Sequence, residues 1–474
     1  MTDDTLFATI AGAALLVVVG SVLSTLRQYF LLGHISGPTS AGFSKWWLAR
    51  AVRGGRSHLD FYEVCQKYGS VARVGPCHLI TSDPDLMKRM LNVRTAYKRS
   101  DWYDGMRLDP AKDNVLSMRN DALHSDLRSK MAAGYSGKEV DNLEARIDQN
   151  ILALVDLLES KYVSLDKPFD FGRKAQYFTL DVISDLAFGR PFGDLATDSD
   201  VHEYISTSEL NMPSVMLTTV FPWLMTLLAF PLFKSVMPSE KDAVGIGRTM
   251  AIAKEVASER FGPHRKVQKD MLGSFVARGL TQSEAESEIL MQILAGSDTT
   301  ATAIRATLLH IITNPRVLNK LLSEIESADP GWPVISDAAA RRMPYLQAVV
   351  KEGLRIWPPV VGLMAKEVPQ GGDTFKGVFL PEGTRIGYCA WGIFRKKEVW
   401  GQDADEFKPE RWMDASPTKR KEMDETLDLV FGYGRWQCLG RNVAQMELNK
   451  IFVEVRATLA PITSSWFNTE SISC

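Results

Sequence analysis

The sequence predicts a mainly α-helical fold with a small β portion, preceded by one N-terminal transmembrane helix. Three observations predict it: a helical pattern over residues 282–313, short alternating stretches at 71–80, 375–380 and 384–388, and an uncharged apolar run at 6–26. The helical pattern covers about nine turns at 3.6 residues each, so we expect that helix to cross the core. The alternating stretches have the period of two that half-buried strands show, and the last two, separated by Pro381-Glu382-Gly383, are predicted to form a small hairpin.

Length and composition favour one large globular domain. The chain has 474 residues, of which 45% are hydrophobic and 24% charged, and no linker-like segment divides it after residue 40. A net charge of −2 argues against nucleic acid as a partner. The cysteines are odd in number and scattered, without CxxC pairs, which favours a reducing compartment and argues against a zinc site.

The first 30 residues are predicted to be a membrane anchor, and residues 31–58 a hinge and linker containing proline and glycine. The uncharged run at 6–26 is long enough to cross a bilayer at about 20 residues per span. Its acidic start, with Asp3 and Asp4, differs from that of a cleaved signal peptide. Basic residues follow the run and none precedes it, so the positive-inside rule predicts a single-pass protein of the endoplasmic reticulum membrane with its body in the cytoplasm.

Further along, local signals predict helix starts, loops and a lid. A helix is predicted to begin at Asp83-Pro84, because an acidic cap followed by proline is a good start signal. Residues 100–119 have no periodicity and are predicted to be a long loop. Residues 212–233 form a second apolar run, but three prolines interrupt it. We therefore expect a lid there, able to dip into a bilayer, rather than a second membrane span.

The chain is organised around residues 431–440, which read FGYGRWQCLG and hold a single cysteine, Cys438. We interpret Cys438 as a haem-iron ligand, because a thiolate on iron pushes electron density toward bound dioxygen. The glycines can adopt positive φ and turn backbone N–H groups toward the sulfur. A helix beginning near Asn442 would place its positive dipole end beside the thiolate. The loop alone leaves open the alternative of a buried structural cysteine.

Two more stretches place polar groups on predicted helices. Asp298 and Thr299 lie at the centre of the long helix, where a short polar side chain can bond to backbone carbonyls and open the helix, making a groove for oxygen and water. The alternative is an internally satisfied core threonine. Glu352 and Arg355 are three residues apart on a later helix, and an exposed pair at that spacing contributes only about 0.2–0.5 kcal/mol.

The chain resembles the cytochrome P450 superfamily of haem-thiolate monooxygenases over nearly its whole length. The resemblance rests on four stretches in the family's order: AGSDTT, EGLR, PERW and the cysteine loop. The phrases KYGSVARVGP and GRWQCLG look most like fungal, pisatin-demethylase-like enzymes of secondary metabolism. The resemblance implies the cytochrome P450 fold, with residues 59–474 as a haem-binding monooxygenase domain whose C-terminal hairpin is shortened.

The resemblance implies a reaction, a cofactor and partners. The implied reaction inserts one oxygen atom from dioxygen into a lipophilic small molecule of terpenoid, polyketide or alkaloid type, with haem as cofactor. Electrons would come from NADPH through a separate reductase, since the chain has no dinucleotide glycine fingerprint. Two alternatives stay open because fold does not dictate function: an oxygen-independent haem-thiolate isomerase or dehydratase, and a non-catalytic haem-binding protein. Retention of Asp298 and Thr299 speaks against the first.

The resemblance also implies roles for individual residues. Asp298 and Thr299 are the expected catalytic pair, and Cys438 is the expected metal ligand. The expected haem-binding residues are His124, Arg128, Arg435, Phe431, Gly434 and Gly440. The expected structural support comes from Glu352, Arg355 and Arg411, and the expected substrate-pocket residues are Val360, Val361, Leu363 and Ala295. Trp436 departs from the family's usual arginine, so His124, Arg128 and Arg435 are assigned to the haem propionates.

Overall fold

A computed structural model describes residues 3–328 and 333–455. They fall into two compact units. The first unit draws on the described residues within 1–105, 213–222 and 361–393, and the second on those within 106–212, 223–360 and 394–474. Strands lie in the first unit, whereas helices dominate the second, so the predicted mainly helical fold with a small β portion is confirmed.

The strands of the first unit form a five-stranded sheet and a separate pair. They are β1 (Val71–Gly75), β2 (His78–Thr81), β3 (Lys98–Arg99), β4 (Lys366–Glu367), β5 (Asp373–Phe375), β6 (Val378–Leu380) and β7 (Arg385–Tyr388). The sheet has the order β1-β2-β7-β4-β3, in which β2 and β7 run parallel and the other neighbours antiparallel. Leu79 of β2 and Ile386 of β7 are fully buried in the core of this unit.

The structure corrects two strand predictions. The stretch 71–80 is a hairpin of β1 and β2 rather than one strand. The hairpin expected between 375–380 and 384–388 is wrong, because β5 pairs with β6 and β7 joins the larger sheet beside β2. The actual turn is Lys376-Gly377, with φ of 46° and 81°. Two successive positive φ angles suit a tight hairpin, since they match the twist of the flanking strands.

The helices, in chain order, begin with α1 (Asp3–Leu31), α2 (Thr39–Phe43), α3 (Trp46–Arg53), α4 (Ser57–Tyr68), α5 (Pro84–Leu91), α6 (Asp121–Tyr135), α7 (Leu143–Lys161), α8 (Phe171–Phe188), α9 (Asp194–Thr197), α10 (Tyr204–Val220) and α11 (Trp223–Leu228). They continue with α12 (Gly245–Glu259), α13 (Met271–Ala277), α14 (Gln282–Ile312), α15 (Pro315–Ser327), α16 (Asp337–Ala340), α17 (Pro344–Ile356), α18 (Ala390–Ile393), α19 (Lys397–Trp400), α20 (Glu410–Asp414), α21 (Pro417–Leu427) and α22 (Arg441–Glu454).

Local capping explains where two of these helices begin. The carboxylate of Asp83 accepts a hydrogen bond of 3.0 Å from the N–H of Asp85, and Pro84 opens α5 as predicted. The long helix α14 has 31 residues, and Thr281 and Glu284 form a reciprocal capping box at its start. Each of these caps satisfies backbone N–H groups that the first turn leaves unpaired. The predicted long helix is confirmed within one residue.

Two expectations about the chain ends are not confirmed. Within the described ranges, no helix combines the length and the apolar character that a membrane crossing requires. The transmembrane part of the predicted fold class is therefore not confirmed, although α1 covers the predicted anchor residues. The shortened C-terminal hairpin is expected beyond residue 455 and lies outside the described residues.

Candidate active site

The cysteine loop is a tight turn that ends at the start of α22. The N–H of Cys438 donates to the carbonyl oxygen of Phe431 at 2.7 Å and closes the loop. Gly432 and Gly434 have φ of 74° and 60°, the left-handed region that was expected for them. A Cβ on Gly432 would lie 2.8 Å from the carbonyl oxygen of Trp436, so this position also lacks room for a side chain.

Gly440 differs from that expectation. Its φ is −78°, because it is the residue that directly precedes α22 and already has a near-helical backbone. A Cβ there would lie 3.9 Å from the Cys438 sulfur and from Tyr135, which is ordinary contact. The prediction of a positive φ at Gly440 is therefore wrong, and α22 begins at Arg441, one residue before the predicted start.

Opposing effects act on the pKa of the Cys438 thiol. Its side chain is exposed, yet protein atoms surround the sulfur closely enough that burial raises its pKa. The backbone N–H groups of Gly440 and Arg441 donate to the sulfur and lower that pKa, and the Arg128 guanidinium acts in the same direction. The positive end of α22 adds to this effect. Together these groups stabilise a negative sulfur, and this donor set fits a thiolate ligand of haem iron.

One face of α6 carries the predicted haem-binding residues of that helix. His124 is buried and lies against Trp436, with ring centroids 4.5 Å apart. Burial lowers the pKa of Arg128, and the nearby Cys438 thiol and Tyr135 raise it. His124, Arg128 and Tyr135 recur at helical spacing, so they share one face of α6. The structure thus brings His124 and Arg128 to the cysteine loop.

Arg435, which belongs to the cysteine loop, contacts the start of α6. Its guanidinium pairs with the carboxylate of Asp121, the first residue of α6, at 3.1 Å. The pair is partly exposed, with 25% of the Arg435 side chain accessible, so the ion pair itself contributes little stability. Three cationic or imidazole side chains, His124, Arg128 and Arg435, therefore gather around the loop, and they suit the two negative propionates of a haem.

The centre of α14 has an accessible face. Ala295 is exposed and Thr299, one turn later, is half-buried, whereas Ser297 and Thr300 between and beside them are buried. The hydroxyl of Thr299 donates to the carbonyl oxygen of Ala295 at 2.8 Å. The predicted bond to a backbone carbonyl is confirmed, but the α-helix continues through the segment without interruption.

Asp298 points to a neighbouring helix. Its carboxylate accepts a hydrogen bond of 2.6 Å from the side-chain amide of Gln176 on α8. Burial raises the pKa of Asp298, the Gln176 amide and the Arg305 guanidinium lower it, and Glu209 raises it further. A carboxyl group shifted upward in this way is a better proton donor near neutral pH.

Glu352, Arg355 and Arg411 form one buried network. The Glu352 carboxylate accepts from Arg355 at 2.7 and 2.9 Å and from Arg411 at 2.9 Å, and Trp412 donates its indole N–H at 3.0 Å. Arg355 also donates to the carbonyl oxygens of Phe394, Ala404 and Glu406. Both Glu352 and Arg355 are fully buried. The structure thus brings together the three residues that are predicted to support the cysteine loop. Their hydrogen bonds also connect α17 with α20.

The four predicted pocket residues belong to different units. Val361 and Leu363 lie in the first unit, and Val360 and Ala295 in the second. Leu363 is buried, whereas Val360 is 38% exposed. A cavity of about 520 Å³ lies between the α6–α7 segment and α22, where Tyr135, Asn142 and Asn442 are among its lining residues. None of the four predicted pocket residues lines this cavity.

Sequence reasoning missed three side chains at this site. Tyr135 continues the face of α6 seven residues after Arg128, a spacing that the helical pattern shows. Gln176 carries no comparable signal, because its partner Asp298 belongs to a helix far away in the chain. Trp436 was singled out only as a departure from the family pattern, and its contact with His124 depends on the folded loop.

Comparison with known proteins adds independent findings. A family model described as Cytochrome P450 matches residues 38–455. "Cytochrome P450 monooxygenase ABA1" of Pyricularia oryzae is 42% identical over 461 residues, covering 94% of this chain and 90% of that protein. "Cytochrome P450 monooxygenase aba1" of Botryotinia fuckeliana is 39% identical, covering 88% and 83%. "Cytochrome P450 monooxygenase abl1" of Leptosphaeria maculans is 36% identical, covering 90% and 77%.

Proposed function

The chain belongs to the cytochrome P450 family of oxygen-incorporating oxidoreductases, and on that premise we propose that it oxidises a lipophilic small molecule of terpenoid, polyketide or alkaloid type in fungal secondary metabolism. The observation that carries the proposal is the arrangement of Cys438 with the N–H groups of Gly440 and Arg441. The similarity to three fungal monooxygenases supports it. This similarity favours a monooxygenase over the oxygen-independent enzyme and the non-catalytic haem-binding protein.

In this proposal Cys438 binds the haem iron. When bound, the haem would supply the activation of dioxygen, which a thiolate ligand promotes. His124, Arg128 and Arg435 would hold the propionates, and Phe431, Gly434 and Gly440 would contact the haem from the cysteine loop. The network of Glu352, Arg355 and Arg411 holds the surrounding segments rigid.

Thr299 and Asp298, at the centre of α14, would hold and move protons for the reaction. The Thr299 hydroxyl directs its own proton to the Ala295 carbonyl, which leaves its oxygen lone pairs to accept a hydrogen bond from a water molecule. Asp298 supplies the proton, since burial raises its pKa toward the range where a carboxyl group donates readily. General acid catalysis of this kind contributes about 10²–10⁴ in rate.

Electrons and location complete the proposal. Electrons come from NADPH through a separate reductase. Residues 6–26 anchor the protein in the endoplasmic reticulum membrane, because they are uncharged and mostly apolar and basic residues follow them. A lipophilic substrate that partitions into that membrane is proposed to contact Val360 and Ala295 of the second unit.

Oxygen-18 labelling tests the reaction. Membranes containing the full chain and a reductase are supplied with NADPH, ¹⁸O₂ and a panel of terpenoid, polyketide and alkaloid compounds, and products are analysed by mass spectrometry. The proposal predicts a product that carries ¹⁸O from dioxygen and requires NADPH. A rearranged product formed equally well without dioxygen would contradict it and support the isomerase alternative.

A further inference from the structure

The contact between α8 and α14 contains a polar pair deep in an otherwise close packing. Gly296 of α14 lies so near Ile183 of α8 that a Cβ on the glycine would be 2.6 Å from the Ile183 side chain. At the same contact the Gln176 amide, which is only 6% exposed, donates to Asp298 at 2.6 Å. A long polar side chain loses rotamer freedom and hydration when it is buried. The hydrogen bond to Asp298 offsets this cost, because it gives the buried amide a partner.

The other groups around Asp298 are charged or phenolic and come from two helices. Arg305 lies on α14 itself and lowers the pKa of the carboxyl, whereas Glu209 on α10 raises it. Tyr204, the first residue of α10, is buried beside the same carboxyl. Glu209 is itself paired with Arg173 at 3.2 Å, and both are partly exposed. Asp298 therefore accepts a hydrogen bond from the neutral amide of Gln176, while the charges of Arg305 and Glu209 act on its pKa in opposite directions.

An amide can satisfy a carboxyl group in both of its protonation states. Its NH₂ group donates to an ionised carboxylate, and its carbonyl oxygen accepts from a protonated carboxyl after the amide rotates by about 180°. A lysine or arginine in the same place donates only, and it would hold the carboxyl in its ionised form. An amide partner therefore suits a group that repeatedly loses and regains a proton.

We propose that Gln176 is a positioning residue for proton delivery, which holds the Asp298 carboxyl in one orientation whether it is protonated or ionised. The inference rests on the proposed proton-donating role of Asp298. In this inference Gln176 acts through Asp298, to which its side-chain amide donates. Gln176 thereby helps to determine the pH range over which the enzyme is active.

The test replaces Gln176 by leucine and by lysine in the full, haem-loaded chain. Thr179→Val is the matched control, because Thr179 lies one turn along α8 and donates to the backbone oxygen of Ser297 at 2.9 Å instead of to Asp298. The primary readout is the infrared carbonyl band of protonated Asp298, identified by its loss in Asp298→Asn and titrated with pH. The second readout is the pH profile of NADPH-driven turnover of a compound converted in the labelling experiment.

The expected shifts have opposite signs. Gln176→Lys should lower the midpoint of the Asp298 band by about 1–3 pH units, because a nearby cation favours the carboxylate. Gln176→Leu should raise the midpoint, because the carboxylate loses its N–H donor. It should also move the band to higher wavenumber, because the protonated carboxyl loses its hydrogen-bond partner. The alkaline limb of turnover should move the same way in each variant. Thr179→Val should match the wild type in both readouts.

Two results would overturn the inference. If both Gln176 variants titrate like Thr179→Val, Gln176 only packs the two helices. If the band midpoint moves but the turnover profile does not, while Asp298→Asn still slows turnover, Gln176 does not position the proton donor. An Asp298→Asn variant with wild-type turnover and coupling would instead contradict the proposed role of Asp298. The height of the reduced carbon-monoxide band checks that each variant binds haem.

Discussion

The pKa values of Cys438 and Asp298, both in the helical unit, depend on two opposing effects. Burial raises each pKa, and nearby hydrogen-bond donors lower it. Burial raises the pKa of the Cys438 thiol, and two backbone N–H groups with Arg128 act against it. The same balance applies to Asp298, where the Gln176 amide opposes burial. In both cases the opposing group is a backbone or side-chain donor held by a helix, so the ionisation of each residue depends on packing around it.

The back-bonded hydroxyl of Thr299 leads to the first prediction. Thr299→Ala should leave haem binding intact but lower the product formed per NADPH consumed and raise the release of hydrogen peroxide, because the oxygen that accepts from water is lost. Thr313→Ala is the matched control, since its hydroxyl makes the same type of bond, at 2.6 Å to Leu309, at the end of α14. Equal coupling in the two variants would show that Thr299 only packs the helix.

The buried carboxyl of Glu288 leads to a prediction about pH. Burial raises its pKa to about 8 from an ordinary 4.5, the Val115 N–H lowers it through a bond of 2.7 Å, and Glu284 raises it. The folded protein keeps this proton in a range where the unfolded chain has lost it. Wild-type stability should therefore fall as pH rises from about 4.5 to about 8 on account of Glu288, and change little from this cause above that.

Glu288→Gln keeps the acceptor oxygen and removes the titration. The apparent melting temperature of the variant, minus that of the wild type, should increase between pH 5 and pH 8 at a fixed scan rate. Glu286→Gln, two residues away and ion-paired with Lys112 at 3.1 Å, is the comparison variant. A melting difference for Glu288→Gln that stays constant over this range would show that Glu288 does not hold a proton in the folded state.

At the residue scale, sequence reasoning succeeds where the partner is close in the chain. The bond from Thr299 to Ala295 could be predicted, because a short polar side chain in a helix reaches the carbonyl four residues back. The bond from Gln176 to Asp298 could not, since it depends on how α8 and α14 pack. The φ of Gly440 was mispredicted because a glycine before a helix can serve as its cap with an ordinary negative φ.

Between elements, the Glu352 carboxylate connects α17 with α20. An i,i+3 spacing predicted the pair with Arg355, and family resemblance brought in Arg411. The indole donor Trp412 and the three carbonyl acceptors of Arg355 were not predicted, because they come from segments that meet only in the folded chain. Because of these additional hydrogen bonds, the charged groups of Glu352 and Arg355 have polar partners although both side chains are fully buried.

This network predicts a large contrast between two arginines. Arg355→Ala should destabilise the protein by about 3–5 kcal/mol, because it leaves buried polar groups without their donor. Arg316→Ala removes a partly exposed partner of Glu410 and should cost less than about 1 kcal/mol. Urea denaturation followed through the haem absorption measures both. Similar losses in the two variants would contradict the structural role of the buried network.

Strand pairing was harder to predict than helix position. The start of α5 and both ends of α14 lie within one residue of their predicted positions, since caps and periodicity are local. Pro381-Glu382-Gly383 looked like a hairpin turn, but the turn is Lys376-Gly377. The strand after the proline pairs instead with β2, more than 300 residues earlier in the chain, for which the local sequence holds no signal.

Over the whole molecule, the chain passes several times between two compact units. The boundaries fall near residues 105, 212, 222, 360 and 393. None of these positions has the composition of a flexible linker. Scanning the sequence for linkers therefore predicts one domain from residue 59 onward, because units built from separate stretches of chain leave no mark in local composition.

The proposed anchor is tested on the whole chain. Removal of residues 1–30 should turn a protein that resists carbonate extraction into one that high salt or mild detergent releases, because the uncharged run at 6–26 is removed. The apolar segment 212–233 should leave weak attachment. Carbonate resistance that persists after truncation would place the membrane contact elsewhere in the chain.

The most direct test of the central claim is the absorption spectrum of the reduced carbon-monoxide complex. With Cys438 as the haem-iron ligand, the wild type should absorb at about 450 nm, as thiolate-ligated haem of this family does. Cys438→His should bind haem and lose that band, whereas Cys77→Ser, which changes a half-buried cysteine of the first unit, should keep it. A band at about 450 nm in Cys438→His would contradict the assignment of Cys438 as the haem ligand.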